Sequence, residues 1–389
     1  MVTVQVHGDF THATGLGVAA SRTLEALATT GLHVEPFELA QGLTATPHSG
    51  HISTDKESTE SFGAPERLAA TGLDGTVQLI HTNPDHLLDC ARTNTGRVAA
   101  LIRERYPFIG YWAWEAESGI PASWERLFGR VAEIWVPSHF VARAVAHFVP
   151  CPVICIPHPI KPRAIKDTDF LRRLGRQGCY FLSIFDGLSG FSRKNPLGLV
   201  RAWLMAFPKP SNNFTLIIKV KNISASQVNQ ISGAAGDRPD ILILRGLLST
   251  EDLYGLISGA RAYVSLHRSE GFGLTLAEAM AQGIPVIGTG YSGNLDFMTR
   301  ENSLLVDYKP TQLLNDEGYY KRGTQWAEPV LENAATHILS LANNPTLAAQ
   351  IGEKGRKAVL ETLGPQRVGA MMEARIRLVH KYLRIPRKA

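Results

Sequence analysis

Two rhythms alternate along this chain. Short apolar runs rich in β-branched and aromatic residues are separated by longer segments whose apolar positions recur every three or four residues. The first kind fits buried strands and the second amphipathic helices. In the first half the pattern predicts strands at 2–7, 32–37, 77–81, 108–112, 133–136 and 153–156, with helices at 17–30 and 138–148. Strands and helices in regular succession build parallel sheets, since each crossover helix carries the chain back to the same sheet edge.

A second series follows, with strands predicted at 180–185, 214–220, 241–245, 262–266, 285–288 and 304–306. Its helices are expected at 195–207, 250–259 and 273–282, and residues 325–383 read as further helices before a basic end. Between the series, Ile156-Pro157-His158-Pro159-Ile160-Lys161-Pro162 breaks both rhythms and marks an interdomain linker. The expected organisation is a first domain at 1–160, a second at 161–365, and a final helix at 366–389 packing back on the first. Residues 41–75, rich in Ser, Thr, His and Gly, interrupt the alternation. They predict a long loop on the acceptor side, with a short helix at 64–70.

At 389 residues the chain exceeds one ordinary core and suits two. Its 44% hydrophobic and 19% charged residues exclude disorder. No run approaches the ~20 apolar residues that span a bilayer. The start alternates like a strand and lacks the basic and apolar regions of a signal peptide, so a cytoplasmic location is expected. A net charge of +5 suits a diphosphate substrate, peripheral contact with an anionic membrane face, or no specific partner. Nucleic acid is disfavoured, because the basic residues are scattered rather than striped with aromatics. Cys90, Cys151, Cys155 and Cys179 lack zinc spacing and are expected as buried or structural thiols.

The sharpest chemical signal is Glu270-Gly271-Phe272-Gly273-Leu274-Thr275-Leu276-Ala277-Glu278, where a strand meets a helix through a glycine-flanked turn. Gly271 and Gly273 let the backbone approach a ligand, and the helix N-terminus offers free N–H groups to an anion. Eight helical residues span about 12 Å. Glycosidase carboxylates lie roughly 5 to 9.5 Å apart. The spacing suits a ligand with two separate polar ends, such as a nucleotide sugar. The alternative is an ordinary helix with one capping and one solvated glutamate. Gly290-Tyr291-Ser292-Gly293-Asn294-Leu295-Asp296 follows another strand, with Ser292 and Asn294 as N-cap types and Gly293 permitting close approach. Phe10, Trp112, Trp114 and Trp124 suit either sugar stacking or a core.

This Glu-x7-Glu element, with the following Ala279-Met280-Ala281-Gln282-Gly283-Ile284-Pro285-Val286-Ile287, resembles the donor site of family 4 retaining glycosyltransferases of the GT-B fold. The resemblance implies two Rossmann-like α/β domains facing across a cleft and a metal-independent hexosyl transfer without a cofactor. A UDP- or GDP-sugar is the implied co-substrate and a glycan or glycolipid the acceptor, as in bacterial polysaccharide assembly. It implies that Glu270 binds the hexose and Glu278 the ribose. Thr14-Gly15-Leu16-Gly17-Val18 resembles the family's glycine-rich first loop, which places Gly15 and Gly17 beside the donor phosphates. Phe191-Ser192-Arg193-Lys194-Asn195-Pro196 matches the position of the diphosphate-binding basic residues, here Arg193 and Lys194. In the family an Arg precedes the Lys by several residues; here Asp186 or Gly187 stands near that place. Gly271, Phe272, Gly273 and Leu274, with Gly293 and Asn294, complete the implied donor set. His81, at a strand end, is the implied catalytic histidine, with a structural role as the other reading. Glu115, in Tyr111-Trp112-Ala113-Trp114-Glu115, orients catalytic groups or pairs with an Arg. Two other classes share the fold: a nucleotide-sugar epimerase and a non-catalytic nucleotide-binding partner.

Overall fold

The computed structural model describes residues 2–383 apart from 12–13, 40–75, 94–96, 104–105, 118, 166–169 and 174–177. The expected long loop at 41–75 and helix at 64–70, and the basic stretch beyond 383, lie outside the described residues. So does an Asp-x-Asp triplet, Asp167-Thr168-Asp169, which the expectation of a metal-free site left out of account.

Two six-stranded sheets carry the fold. The first contains β1 (Thr3–Gly8), β2 (His33–Glu38), β3 (Thr76–His81), β4 (Phe108–Tyr111), β5 (Val131–Val136) and β6 (Val153–Cys155), in the order β2-β1-β3-β4-β5-β6. The second contains β7 (Cys179–Asp186), β8 (Phe214–Lys221), β9 (Ile241–Arg245), β10 (Ala262–Ser265), β11 (Val286–Thr289) and β12 (Leu304–Val306), in the order β12-β11-β10-β7-β8-β9. Every pairing within both sheets is parallel. Helices cover both faces of each sheet, so the strands are buried on both sides and read as continuous apolar runs.

The second order is that of a Rossmann fold, and its direction reverses between β7 and β10. The first reverses between β1 and β3. A crevice opens at such a point beyond the strand carboxyl ends, because the two flanking loops leave in opposite directions. The segments after β7 and β10 hold residues 187–194 and 266–273, the chain after β1 leads to Gly15 and Gly17, and β3 ends at His81. This is the GT-B architecture the sequence implied.

A third, two-stranded sheet was not expected. β13 (Tyr308–Gln312) and β14 (Gln325–Pro329) form an antiparallel ribbon, so the helical reading of the chain begins at Leu331 rather than 325. Among the described residues no helix is long and apolar enough to cross a membrane.

The chain crosses between domains twice. The first crossing is the proline-rich linker, and the second is Gly364, between helices Pro345–Leu363 and Pro365–Leu383. They are stitched together, the Ile160 N–H donating to the Leu363 carbonyl over 2.7 Å. After the second crossing Val368, Met372, Ile376 and Val379 enter the core of the first domain, against Val4, Ala26, Leu27 and Leu79. Arg375 pairs with the buried Glu133, which also accepts from the Trp135 indole N–H at 2.6 Å. At Gly369 the final helix runs so close to helix Gly15–Leu27 that a Cβ would strike the Ala26 carbonyl oxygen.

That contact makes a test. Gly369→Val forces two backbones apart and should cost about 1–3 kcal/mol, read as a lower denaturant midpoint. Gly31→Ala, whose added Cβ would sit 3.5 Å from the Arg377 and Glu373 side chains, should leave the midpoint within error.

Candidate functional site

The basic turn after β7 is built by its own backbone chemistry. Asn195 adopts a left-handed conformation at φ 51°, caps helix Pro196–Ala206 through a 3.1 Å bond from the Gly198 N–H, and donates to the Leu266 carbonyl. Asn195 thereby ties the turn after β7 to the end of β10. Arg193 and Lys194 sit immediately before it. Arg193 is buried, with its guanidinium on the carbonyls of Ser189 and Ser269. It lies 3.5 Å from Glu270 and 3.8 Å from Glu115. Lys194 bonds Glu270 directly.

Burial alone would raise the Glu270 carboxyl, but Lys194 and Arg193 outweigh it and hold the group at about 2. Lys194 is drawn the other way: burial lowers its ammonium, and Glu270 only partly restores it. Glu270 is therefore an anion held beside two cations, both from the turn after β7.

The loop after β10 is threaded through tight backbone contacts. Gly273 stands at φ 93° as N-cap of helix Leu274–Ala281, with no side-chain cap of its own, so the first-turn N–H groups lack that partner. A Cβ on Gly271 would lie 2.8 Å from the Trp114 carbonyl oxygen, and one on Gly293 would strike the Gly271 carbonyl oxygen. Both glycines are thus required by close approach. Ser292 does not cap the turn Gly293–Asp296, as its residue type suggested. It is twisted to φ 80°, and its hydroxyl accepts from the Glu270 N–H at 2.8 Å.

Three of the predicted donor-facing side chains pack into the protein. Asn294 is fully buried, donating to the Thr289 carbonyl and meeting the His267 ring at 3.1 Å. Phe272 packs between His158 and Phe297 at 5.0 and 5.1 Å. Leu274 packs against the same core from its edge. Trp112, Trp114 and Trp124 are core residues, Trp124 meeting the other two edge to face, and the Trp114 carbonyl also faces Gly271 of the second domain. Phe10 packs against the first domain's core.

Glu278 is reached from the other domain. Arg22, on helix Gly15–Leu27, is 5% exposed and donates through Nη2 to both Glu278 and the Tyr254 hydroxyl; the latter bond is 2.8 Å. Tyr254 in turn donates to Glu278 at 3.0 Å. Both bonds fall on Oε1 of Glu278, and Arg22 Nη1 is buried without a partner. Gly15 and Gly17 open this same helix, where Thr14 caps by accepting from the Gly17 N–H. Gly15 has open space around it.

His81 is buried, its ring stacked 4.1 Å from Tyr111 and 5.7 Å from His158. Its Nδ1 meets Thr23 at 3.1 Å, and its Nε2 is one of the buried atoms without a partner. Through His158, which abuts Phe272, it is linked to the glycine-rich loop of the second domain. Burial holds the His81 imidazole at about 3 and His158 well below its usual value, so both rings are neutral at physiological pH.

Further contacts close the border. Ser138 donates to the Gly271 carbonyl and Ser269 to that of Glu115, each at 2.6 Å. From the ribbon, Tyr320 donates to Glu115 at 2.8 Å and packs on Trp114. Arg22, Tyr254, Ser138 and Tyr320 were not singled out in the sequence. Only Arg22 left a trace there, as a cation on a helix face otherwise made of Ala19, Ala20, Thr23 and Ala26.

Two outcomes follow. Arg22→Met leaves Glu278 as a buried carboxylate without its cation and should weaken closure by about 3–5 kcal/mol. Small-angle scattering would then show a larger radius, and Arg22→Met/Glu278→Gln should recover most of the loss. In acid, the His81 pKa lies below the ~6.5 of an unfolded histidine. Its contribution is full above that value and lost as pH falls towards 3, so His81→Phe should flatten acid unfolding across that window. Glu270 adds a loss of the same sign at lower pH.

Residues 239–358 match the family model described as Glycosyl transferases group 1, a stretch containing Glu270, Glu278 and Gly293. No curated protein matches the chain. Among solved structures, sucrose-phosphate synthase from Thermosynechococcus elongatus is similar at TM-score 0.67 and 17% identity, over 98% of this chain and 100% of that one. The Anabaena protein HepE, in complex with UDP and glucose, is similar at TM-score 0.66 and 13% identity, over 97% and 100%. A glycosyltransferase from Rickettsia africae is similar at TM-score 0.60 and 14% identity, over 98% and 99%. At such identities the likeness establishes the shared GT-B fold.

Proposed function

Because residues 239–358 match the family model described as Glycosyl transferases group 1, we propose that the chain is a retaining, metal-independent glycosyltransferase. It moves a hexosyl unit from a UDP- or GDP-sugar to a glycan or glycolipid hydroxyl. The observation that carries this reading is the spacing of two buried carboxylates, Glu270 and Glu278, across a glycine-rich helix start. Glu270 is set beside Lys194 and Arg193 of its own domain, and Glu278 beside Arg22 of the first.

In this mechanism Glu278 offers Oε2 to the ribose while Arg22 and Tyr254 hold Oε1. The free Arg22 Nη1 then has an acceptor in the diphosphate, which relieves its buried, unpaired state. Lys194, now bound to Glu270, turns to the departing diphosphate as the glycosidic bond breaks, and Glu270 keeps Arg193 while receiving the hexose hydroxyls. The N–H groups at Gly273 and Gly293 share the developing charge. A phosphate oxygen of the leaving group takes the acceptor proton, so no protein base is required. Neutral His81 contributes a hydrogen bond from Nε2 to the reacting sugar without adding charge. Entry of the donor requires the domains to part about the linker, since the border is closed by direct bonds. Assembly of surface polysaccharide on the inner membrane face is the setting this reading favours.

Calorimetric titration with UDP, GDP and ADP, without metal, tests the proposal. One diphosphate should bind, and Glu278→Ala should weaken it at least tenfold. Lys194→Ala should lower turnover by about 10²–10³ with little change in donor binding. Absence of binding by any diphosphate to folded protein would overturn the reading.

A further inference from the structure

Away from the carboxylate pair, a second cluster joins the two domains. Cys155 ends β6 and is paired in register with Val136 of β5, so the chain leaving β5 places Ser138 and His139 beside it. His139 then opens helix His139–Ala146, and Asp296 arrives from the second domain at the end of the turn Gly293–Asp296. His139 Nδ1 lies 2.9 Å from Asp296 Oδ2, and Cys155 Sγ lies 3.9 Å from each. The His139 N–H also donates to Oδ2 at 2.8 Å, which fixes that oxygen.

These three atoms form a triangle close to one face of a tetrahedral metal site. Zinc–ligand bonds of about 2.3 Å to sulfur and 2.0–2.2 Å to nitrogen and oxygen set ligand–ligand edges of about 3.3–3.6 Å. The observed edges of 2.9 and 3.9 Å bracket that range, so a few tenths of an ångström in three side chains suffice. Thiolate, imidazole and carboxylate together favour zinc over magnesium or calcium, which prefer oxygen alone. His139 is 73% exposed on its side chain, which leaves the fourth position open to water. The Cys151 and Cys155 thiols, alike in the sequence, part company here: Cys151 packs against the first domain's core.

We propose that His139, Cys155 and Asp296 form a site for a thiophilic divalent cation, zinc above all, that staples the two domains. On binding, Cys155 loses its thiol proton to solvent as the sulfur–metal bond forms. The Nδ1 proton of His139 gives way to the tautomer protonated on Nε2. Asp296 binds as a carboxylate, so the cation's two charges meet one thiolate and one carboxylate. The staple ties a residue just before the linker to the loop that carries Gly293 and Asn294. Its occupancy opposes domain opening and therefore slows turnover, a consequence that rests on the donor-site reading above, whereas the binding itself does not.

Cobalt titration of the full chain tests the binding. One equivalent should produce a thiolate-to-cobalt charge-transfer band that zinc abolishes. Cys155→Ser should lose the band, Cys151→Ser should keep it, and Asp296→Asn should weaken cobalt binding at least tenfold. Circular dichroism confirms that each variant is folded, and His139→Gln gives a second route should Cys155→Ser misfold. A missing band, or one that depends on Cys151, overturns the site. If the site binds, zinc should lower turnover severalfold in the wild type and leave Cys155→Ser unaffected. Binding with equal turnover overturns the staple. A chain that binds cobalt through Cys155 but no nucleoside diphosphate leaves the site standing and fails the donor reading instead.

Discussion

A buried charge cannot be left alone, and that constraint organises this molecule. Arg22 of the first domain and Glu278 of the second are each nearly inaccessible, and each neutralises the other. Parting the domains exposes both to water, and bringing them together commits both to the pair. Closure is therefore an electrostatic event as much as a hydrophobic one, and a single wrong partner on either side would be costly. The same logic holds within the second domain, where Glu270 is stabilised by Lys194 and Arg193 rather than by solvent. Both carboxylates stand where the strand order reverses, the one place in each sheet where loops diverge enough to admit a ligand.

Around these charges many contacts end on backbone carbonyls. Across the border the carbonyls of Gly271 and Glu115 accept from Ser138 and Ser269, and Gly271 admits the Trp114 carbonyl oxygen where a Cβ would collide; within the second domain the Ser269 carbonyl accepts from Arg193 and Gly293 admits that of Gly271. The neutral rings of His81, Tyr111 and His158 stack into a column that ends on Phe272. The column gives a direct physical route from the first domain's strand ends to the loop holding Glu270.

The twelve strands of the two large sheets were legible because a parallel strand covered on both faces is a short continuous apolar run. The ranges 241–245 and 304–306 coincide with the observed strands, and the others differ by a few residues at their ends. The ribbon of β13 and β14 was illegible for the opposite reason. Tyr308-Lys309-Pro310-Thr311-Gln312 is largely exposed and carries a proline, so it lacks both periodicity and propensity. At the site, Glu270, Glu278 and Lys194 were visible through their local spacing. Arg22 was not, because its partner lies 256 residues away and only the packing of two domains brings them together. Ser292 was misread because a hydroxyl before a turn usually caps it, whereas here the backbone twist turns it towards Glu270.

The final helix carries a consequence for how the chain is made. The first domain's core contains Val368, Met372, Ile376 and Val379, and its buried Glu133 waits for Arg375, 242 residues further on. On a ribosome that delivers about 5–20 residues per second, the N-terminal sheet emerges early with one apolar face only partly covered, by helix Gly15–Leu27. It stays so until the entire second domain has been synthesised. The first domain is thus the last to be completed, and during that interval its exposed face is the part of the nascent chain most in need of a chaperone.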